Sequence, residues 1–472
     1  MALDAAQIRT SVDDGWDRDV LGPLQDYVRI PNVSPAFDPH WAANGHMGAA
    51  VELVRQWCEV RPIDGLRVEV LEVDGRTPVV LCEIPATEPG SAADTVLLYG
   101  HLDKQPEMAG WRDGLGPWDP VLDGDVLYGR GGADDGYAVF AAFTAIEALR
   151  AAGGNHARLL VLIEASEESG SPDLPAHLDA LGDRLGQVSL VVGLDSGAAT
   201  YDRLWVTTSL RGVLVAAVRV DVLTEGVHSG SAGGVVPSSF RILRRLLDRI
   251  EDPDTGRVLV EELWGDVPAE REAQLAATAD EIVAGMAFPW AGDTRPDHER
   301  AVDLLRARTW EPSVANIAVD GFPPPDRAGN VLRPHTELTL ACRLAPTADP
   351  SAAASALERA LTADPPNLAT VTVTVRAAEG GWNAPPTAPW LQAAVDDASE
   401  AHWGKPSAAM GEGGTIPFMG MLGARFPEAQ FLITGVLGPG SNAHGPNEFL
   451  HLPMARRITA AVSHVLDAHA RR

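Results

Sequence analysis

The spacing of apolar positions changes several times along the chain, and each change marks a predicted element. Ile8, Val12, Trp16, Val20, Leu21 and Leu24 recur at roughly helical spacing across residues 4–30, where Gly22-Pro23 is expected to interrupt the helix. A loop, PNVSPAFDPHW, precedes a second helix over about 45–60, and strand-like runs follow at 66–73 and 78–84. A polar turn over 88–94 leads into Thr95–Tyr99, a run of β-formers closed by Gly100. Residues 104–128, rich in Pro, Gly, Trp and Asp, read as a long functional loop. Helices at 137–152 and 171–186 then alternate with buried-type strands at 158–163 and 188–194, which predicts an α/β sheet with parallel strands.

Beyond Leu210-Arg211-Gly212 the texture changes. A strand at 213–222 and a helix at 238–250 precede an acidic helical excursion at 251–311, and strands at 336–344 and 369–376 flank a helix at 350–362. This β-α-β…β-α-β order predicts an inserted ferredoxin-like domain over about 209–384. The α/β pattern resumes with a helix at 388–402, the loop GEGGTIP (411–417), a strand at 430–434, a glycine-rich loop at 435–448 and an amphipathic helix at 452–470. The expected division is therefore 1–208, 209–384 and 385–472, with the outer two segments forming one domain.

A chain of 472 residues is too long for one ordinary core, in keeping with that division. The net charge of −28 argues against nucleic acid or an anionic membrane as partner. The Met-Ala-Leu-Asp start carries no signal-peptide pattern, and no apolar run approaches a membrane span. Three cysteines (Cys58, Cys82 and Cys342) are far apart and match no metal spacing, which predicts buried thiols in a reduced cytoplasmic protein.

The strands of the α/β sheet end in residues of one chemical kind. His101 and Asp103 lie two apart at a strand end and so on one side, a spacing that suits a metal ligand and the carboxylate fixing its ring. Asp134 and Asp135 follow Gly129, Gly131 and Gly132 at a helix N-terminus, as caps or as ligands. Glu167 and Glu168 follow one strand, Asp195 follows another, and His444 lies in the last glycine-rich loop. In open α/β sheets ligands gather beyond the carboxyl ends of the strands. Singly, each residue has an ordinary explanation as a cap, a solvated carboxylate or a turn residue. Together, the two histidines and three carboxylates His101, Asp134, Glu168, Asp195 and His444 form an N/O donor set suited to Zn²⁺, Mn²⁺ or Co²⁺. They are too many for one tetrahedral ion. Divided between two ions by a bridging carboxylate, they leave room for water, which is machinery for hydrolysis. The adjacent Glu167 and Glu168 suggest divided labour, one on metal and one taking the water's proton.

The stretches GHLD (100–103), YGRGGADD (128–135), EASEESGS (164–171), LDSG (194–197), SLRG (209–212), HSG (228–230), EGGTIP (412–417) and AHGPNE (443–448) span nearly the whole chain. In type and order they resemble the co-catalytic metallopeptidase family of cytosolic nonspecific dipeptidase, carnosinase, aminoacylase, glutamate carboxypeptidase and succinyl-diaminopimelate desuccinylase. GHLDKQPE with the PWDP and YGRG stretches is most similar to the dipeptidase branch. The resemblance implies a zinc-exopeptidase-like α/β/α catalytic domain, the inserted domain serving as lid and dimerisation module. It implies a cytoplasmic homodimer with two divalent ions, Zn²⁺ first and Mn²⁺ or Co²⁺ as alternatives, that hydrolyses dipeptides or short peptides. By resemblance His101 and Asp195 bind one ion, Glu168 and His444 the other, and Asp134 bridges them through a turn with a cis peptide after it. Asp103 orients His101, Glu167 is the general base, and His228 reaches a partner subunit's site to polarise the scissile carbonyl. The same resemblance implies Asn330, Arg343, Gly414 and Thr415 as substrate contacts, with Arg343 suited to a C-terminal carboxylate.

Three departures bear on substrate preference. Gly136 and Tyr137 stand where the family commonly has Lys-Gly, Gly411 where a basic residue often precedes the EGGS/T loop, and Lys104 where an apolar residue is usual. An N-acyl-amino-acid deacylase or carboxypeptidase on the same scaffold is the alternative activity. A catalytically silent peptide-sensing protein is the alternative of another class.

Overall fold

The computed structural model describes residues 3–88 and 93–472, so most of the polar turn expected at 88–94 lies outside the described residues. The chain forms two compact units, one comprising residues up to Thr208 with Ala384–Met410 and Met421–Arg472, the other Ser209–Asn383 with Gly411–Gly420.

In the first unit, β1 (Arg67–Leu71), β2 (Val79–Ile84), β3 (Asp94–His101), β4 (Arg158–Glu164) and β5 (Gln187–Gly193) form a sheet in the order β1-β2-β4-β3-β5, completed beside β5 by Gln430–Ile433. Pairings of β3 with β4 and β5, and of β5 with Gln430–Ile433, are parallel. The sheet is nevertheless mixed, because β1 pairs antiparallel with β2 and β2 with β4. The parallel arrangement holds where helices supply crossovers; the short connection from β1 to β2 permits only an antiparallel pair. Strands β2, β3 and β4 are buried almost throughout, as continuous apolar runs covered on both faces must be.

Helices α1 (Ala5–Gly15), α2 (Leu21–Val28), α3 (His46–Glu59), α4 (Tyr137–Ala151) and α5 (Leu174–Leu181) accompany this sheet. The first helical stretch is not interrupted at Gly22-Pro23, which lie inside α2; it widens earlier, at Trp16–Val20. Pro23 falls in the first turn of α2, where a missing N–H is tolerated. The carbonyl of Asp19, four residues before Pro23, instead accepts from the Trp57 indole at 2.9 Å. Helix α4 is apolar around its whole circumference and correspondingly buried.

The second unit is built on β6 (Gly212–Asp221), β7 (Ser313–Asp320), β8 (His335–Leu344) and β9 (Thr370–Glu379), antiparallel in the order β7-β8-β6-β9. With α6 (Ser239–Leu247) after β6 and α9 (Pro350–Thr362) after β8, this is a ferredoxin-like βαββαβ topology. Alternate residues Leu214, Ala216, Val218 and Val220 of β6 pack on Ile242, Leu243 and Leu246 of α6 and on Leu357 and Leu361 of α9. Each such large side chain, fully buried, contributes about 1.5–3 kcal/mol. The acidic excursion holds α7 (Ala269–Ala284) and α8 (Ala301–Thr309), and β7 follows it. That strand escapes the sequence pattern because a bulge between Asn316 and Ala318 breaks its alternation.

The loop after Gly411 packs in the second unit, although its neighbours in sequence pack in the first. Arg211 explains this: its Nε donates to the Gly413 carbonyl at 3.2 Å, and its own carbonyl accepts from Thr415 Oγ1 at 2.6 Å.

Candidate metal centre

The sheet register brings the strand ends level. His101 lies opposite Glu164 on β4, and Tyr99 lies opposite Gly193 on β5, so the segments after β4 and β5 emerge beside His101. Gly100 is required there, since a Cβ would fall 2.9 Å from both Ala138 Cβ and Asp135 Oδ2. The turn carrying Asp134 can therefore press against the end of β3. The Asp134–Asp135 peptide is cis.

Two groups of donors result, His101 with Glu167 and Asp195, and Asp134 with Glu168 and His444; within each, the donor atoms all lie within 4.8 Å of one another. Asp134 faces both imidazoles, Oδ1 at 3.3 Å from His101 Nε2 and Oδ2 at 3.0 Å from His444 Nε2. His101 Nε2 is also 3.7 Å from Asp195 Oδ2 and 3.9 Å from Glu167 Oε2. Glu168 Oε2 lies 3.3 Å from His444 Nε2 and accepts from Gln105 Nε2 at 2.7 Å.

Asp103 serves both sides of this arrangement. Its backbone carbonyl lies 3.1 Å from His101 Nδ1, with the carboxylate at 3.5 Å. The carboxylate itself accepts the backbone N–H groups of Glu167 and Glu168, each at 3.0 Å. Asp103 thus holds the imidazole and anchors the turn that presents both glutamates.

Four carboxylates, three of them buried, face two imidazoles here, and the titrations reflect the imbalance. Burial and the charge of Asp195 push the Glu167 carboxyl well above its ordinary range. Burial and the charge of Asp134 push Glu168 up to about 8. Burial also opposes ionisation of Asp134, but the imidazoles of His101 and His444 beside it hold it well below its ordinary value. Burial disfavours charge on His444, yet Asp134 and Glu168 outweigh it and push the ring up to about 9. Such a set is relieved by bound positive charge. His101 Nε2 is buried with no hydrogen-bond partner, while Nδ1 is held from behind, the arrangement of a metal-ligating imidazole. The donors fit two divalent ions, and all are oxygen or nitrogen.

The remaining expected residues lie in the second unit. His228 is exposed, and its Nδ1 accepts from the Gly230 N–H at 3.1 Å, which leaves the hydrogen of the neutral ring on Nε2. Asn330 is its neighbour through a 2.8 Å bond from Ser229 N to the Asn330 carbonyl. Arg343 is half-buried on β8 and donates to Thr415 Oγ1 at 3.2 Å, and a Cβ at Gly414 would meet nothing within 4 Å. Burial, with Arg343 and Arg308 nearby, pushes the Arg211 guanidinium down to about 10, so cationic charge is concentrated around this loop.

The departures have structural accounts. A Cβ at Gly136 would lie 2.1 Å from Tyr27 Cε1, so no side chain fits there. Lys104 Nζ sits 4.0 Å from the Tyr27 ring centroid and donates to the carbonyls of Tyr27 and Ile30, both at 2.8 Å, capping the end of α2. A Cβ at Gly411 would fall 2.6 Å from Ser209 Oγ and 3.2 Å from Thr309 Cβ, so a side chain there would displace the Ser209 hydroxyl. Sequence reasoning assigned no role to Arg130, Glu448 or Gln105. The first two were visible only as the charged members of YGRGG and PNE.

A mixed α/β sheet with two histidine–carboxylate groups gathered beyond its strand ends and on adjoining loops is the arrangement of a metallohydrolase. The model of peptidase family M20/M25/M40 matches residues 97–468, and the chain belongs to this family. A cysteinylglycine-S-conjugate dipeptidase of Corynebacterium striatum is 28% identical over 389 residues, 79% of this chain and 82% of that one. Among solved structures, the dipeptidase Dug1p of Saccharomyces cerevisiae superposes with a TM-score of 0.77 at 20% identity, covering 100% of both chains. Human carnosine dipeptidase 1 does so with a TM-score of 0.76 at 21% identity, covering 99% of both. The fold is that of these enzymes, and the chain is a metallopeptidase-class hydrolase.

Proposed function

We propose that this protein hydrolyses the peptide bond of dipeptides or short peptides. The observation that carries this reading is Asp134 set between two donor groups, with a further carboxylate, Glu167, beside the first. Similarity to the Corynebacterium striatum dipeptidase over most of both chains supports a dipeptide substrate.

His101 and Asp195 would hold one ion, Glu168 and His444 the other, and Asp134 both. When bound, the ions would supply Lewis-acid polarisation and make water more acidic; Zn²⁺ suits these donors best, with Mn²⁺ and Co²⁺ as alternatives. Glu167 takes the proton of the attacking water and returns it to the leaving amine. Its place beside the first donor group, with Oε2 3.9 Å from His101 Nε2, supports that role. His228, with Nε2–H free to donate, stabilises the developing oxyanion from a partner subunit. Arg343 grips the substrate's C-terminal carboxylate beside Thr415 and Gly414, with Asn330 as a further contact, and the guanidinium charge around this loop supports an anionic group there.

The second unit then acts as lid and dimerisation module of a homodimer. Support comes from edge strand β7, where Ile317 and Val319 are 59% and 58% exposed, and from the exposed Phe240–Phe322 pair with centroids 5.7 Å apart. A cytoplasmic location is supported by Cys58, Cys82 and Cys342, all buried and free. Among the described residues no helix is long and apolar enough to cross a membrane.

The test is hydrolysis of a dipeptide panel, with N-acetyl amino acids alongside, after EDTA treatment and after restoring Zn²⁺ or Mn²⁺. Metal-restored cleavage of free dipeptides is the expected result. Activity on acylated substrates alone would move the assignment to a deacylase, and silence under every metal would overturn it.

A further inference from the structure

We infer that Arg130 and Glu448 are a positioning pair that builds the His444 side of the two-ion site, by clamping the loop that carries His444 to the turn that carries Asp134. The inference rests on the two-ion reading above. Arg130 and Glu448 are 1% and 0% exposed and form an ion pair across 318 positions of sequence. The Arg130 side chain does more than neutralise Glu448: its Nη2 donates to the carbonyls of His444, at 3.0 Å, and Gly445, at 2.9 Å. Glu448 returns the contact, with Oε1 accepting from Gly131 N at 2.9 Å and its backbone carbonyl accepting from Gly129 N at 3.0 Å. These bonds fasten both ends of the connection between the two donors.

The loop needs such a clamp. Asn442, His444 and Asn447 all adopt left-handed backbone, with φ of 52°, 63° and 61°, a conformation that non-glycine residues enter at a cost. Its internal bonds, Asn442 Nδ2 to the Pro446 carbonyl at 2.5 Å and Gly445 N to the Asn442 carbonyl at 2.9 Å, fix its shape without fixing its place in the molecule. Arg130 grips the carbonyl of the histidine itself, so loss of the grip moves a donor atom. The bonds of the pair named above go to the His444 loop and the Asp134 turn, whereas His101 closes β3 and Glu167 follows β4. The expected defect is therefore greater for the ion on the His444 side, the other being touched only through Asp134.

The experiment titrates metal-free protein with Zn²⁺ against a competing chelator and with Co²⁺ followed by its visible absorption. Wild type is compared with Arg130→Met, Glu448→Gln and the double variant Arg130→Met/Glu448→Met. The double variant is decisive, because either single change strands a buried charge and threatens folding, whereas an apolar pair of similar size is tolerated. It is expected to fold cooperatively, bind the ion on the His444 side about 10- to 100-fold more weakly, and bind the other with a distinctly smaller loss and its Co²⁺ band kept. Wild-type affinity for both ions in the double variant, or equal weakening of both, would overturn the inference. A wild type that holds a single ion would overturn the two-ion reading, and the inference with it.

Discussion

The two donor groups are built by different means. His101, Glu167 and Asp195 sit at or just beyond the ends of β3, β4 and β5, where hydrogen-bond register sets their height and a covered sheet buries them. His444 sits on a loop with left-handed residues, its side chain 56% exposed, and is placed by contacts from elsewhere in the sequence. A strand end positions a side chain as a by-product of folding the core. A loop donor depends on dedicated polar contacts, so it is the more vulnerable to changes that spare the core.

The largest expected effect tests whether the first group contains the proton-transferring carboxylate. Glu167→Ala should lower turnover by about 10²- to 10⁴-fold while both ions and the melting temperature are retained. Turnover near wild type would remove Glu167 from that role. Next come the two histidines, measured in the metal-free protein so that folding is read apart from ion binding. His101→Ala strips a partner from buried carboxylates and should cost about 1–3 kcal/mol in chemical denaturation, whereas the half-exposed His444 should cost far less. Equal losses would erase the distinction between strand-borne and loop-borne donors. A smaller effect is expected at Arg343, where Lys keeps the charge but loses the planar fork. KM for dipeptides should rise about tenfold with kcat little changed, and a fall in kcat alone would argue against carboxylate binding.

The smallest effect separates site histidines from packing histidines. Burial pushes His402 down to about 3 and His469 down to about 4, the opposite of His444, which carboxylates push up to about 9. A base whose folded value is depressed is neutral when folded and protonated when unfolded over the intervening range. Its stabilising effect is therefore complete above the ordinary histidine value and lost as pH falls from about 6.5 toward 4. Melting temperature should decline across that window, and His402→Gln should flatten the decline. An unchanged slope would show that other groups govern acid sensitivity.

Much of this was legible in the chain. Apolar runs ending in Gly100-His101, Glu164 and Leu194-Asp195 announced both the sheet and the residues at its rim, because strand periodicity and terminal polarity are local properties. Three of the four strands and both helices of the inserted domain were readable for the same reason. The widening at Trp16–Val20 was not, since it depends on where the Asp19 carbonyl finds a donor, and that donor is Trp57. Nor was β7, whose bulge spoils the alternation.

What the sequence determined by itself is the set of candidate donors and the order in which they occur, since side-chain chemistry and strand spacing are written residue by residue. Only the tertiary structure decided which donors meet. It set Asp134 between His101 and His444, turned the Asp103 carboxylate toward the backbone of Glu167 and Glu168, and joined Arg130 to Glu448. The reason is that those contacts join residues far apart along the chain, and their geometry follows from sheet register and buried polar pairing rather than from local spacing.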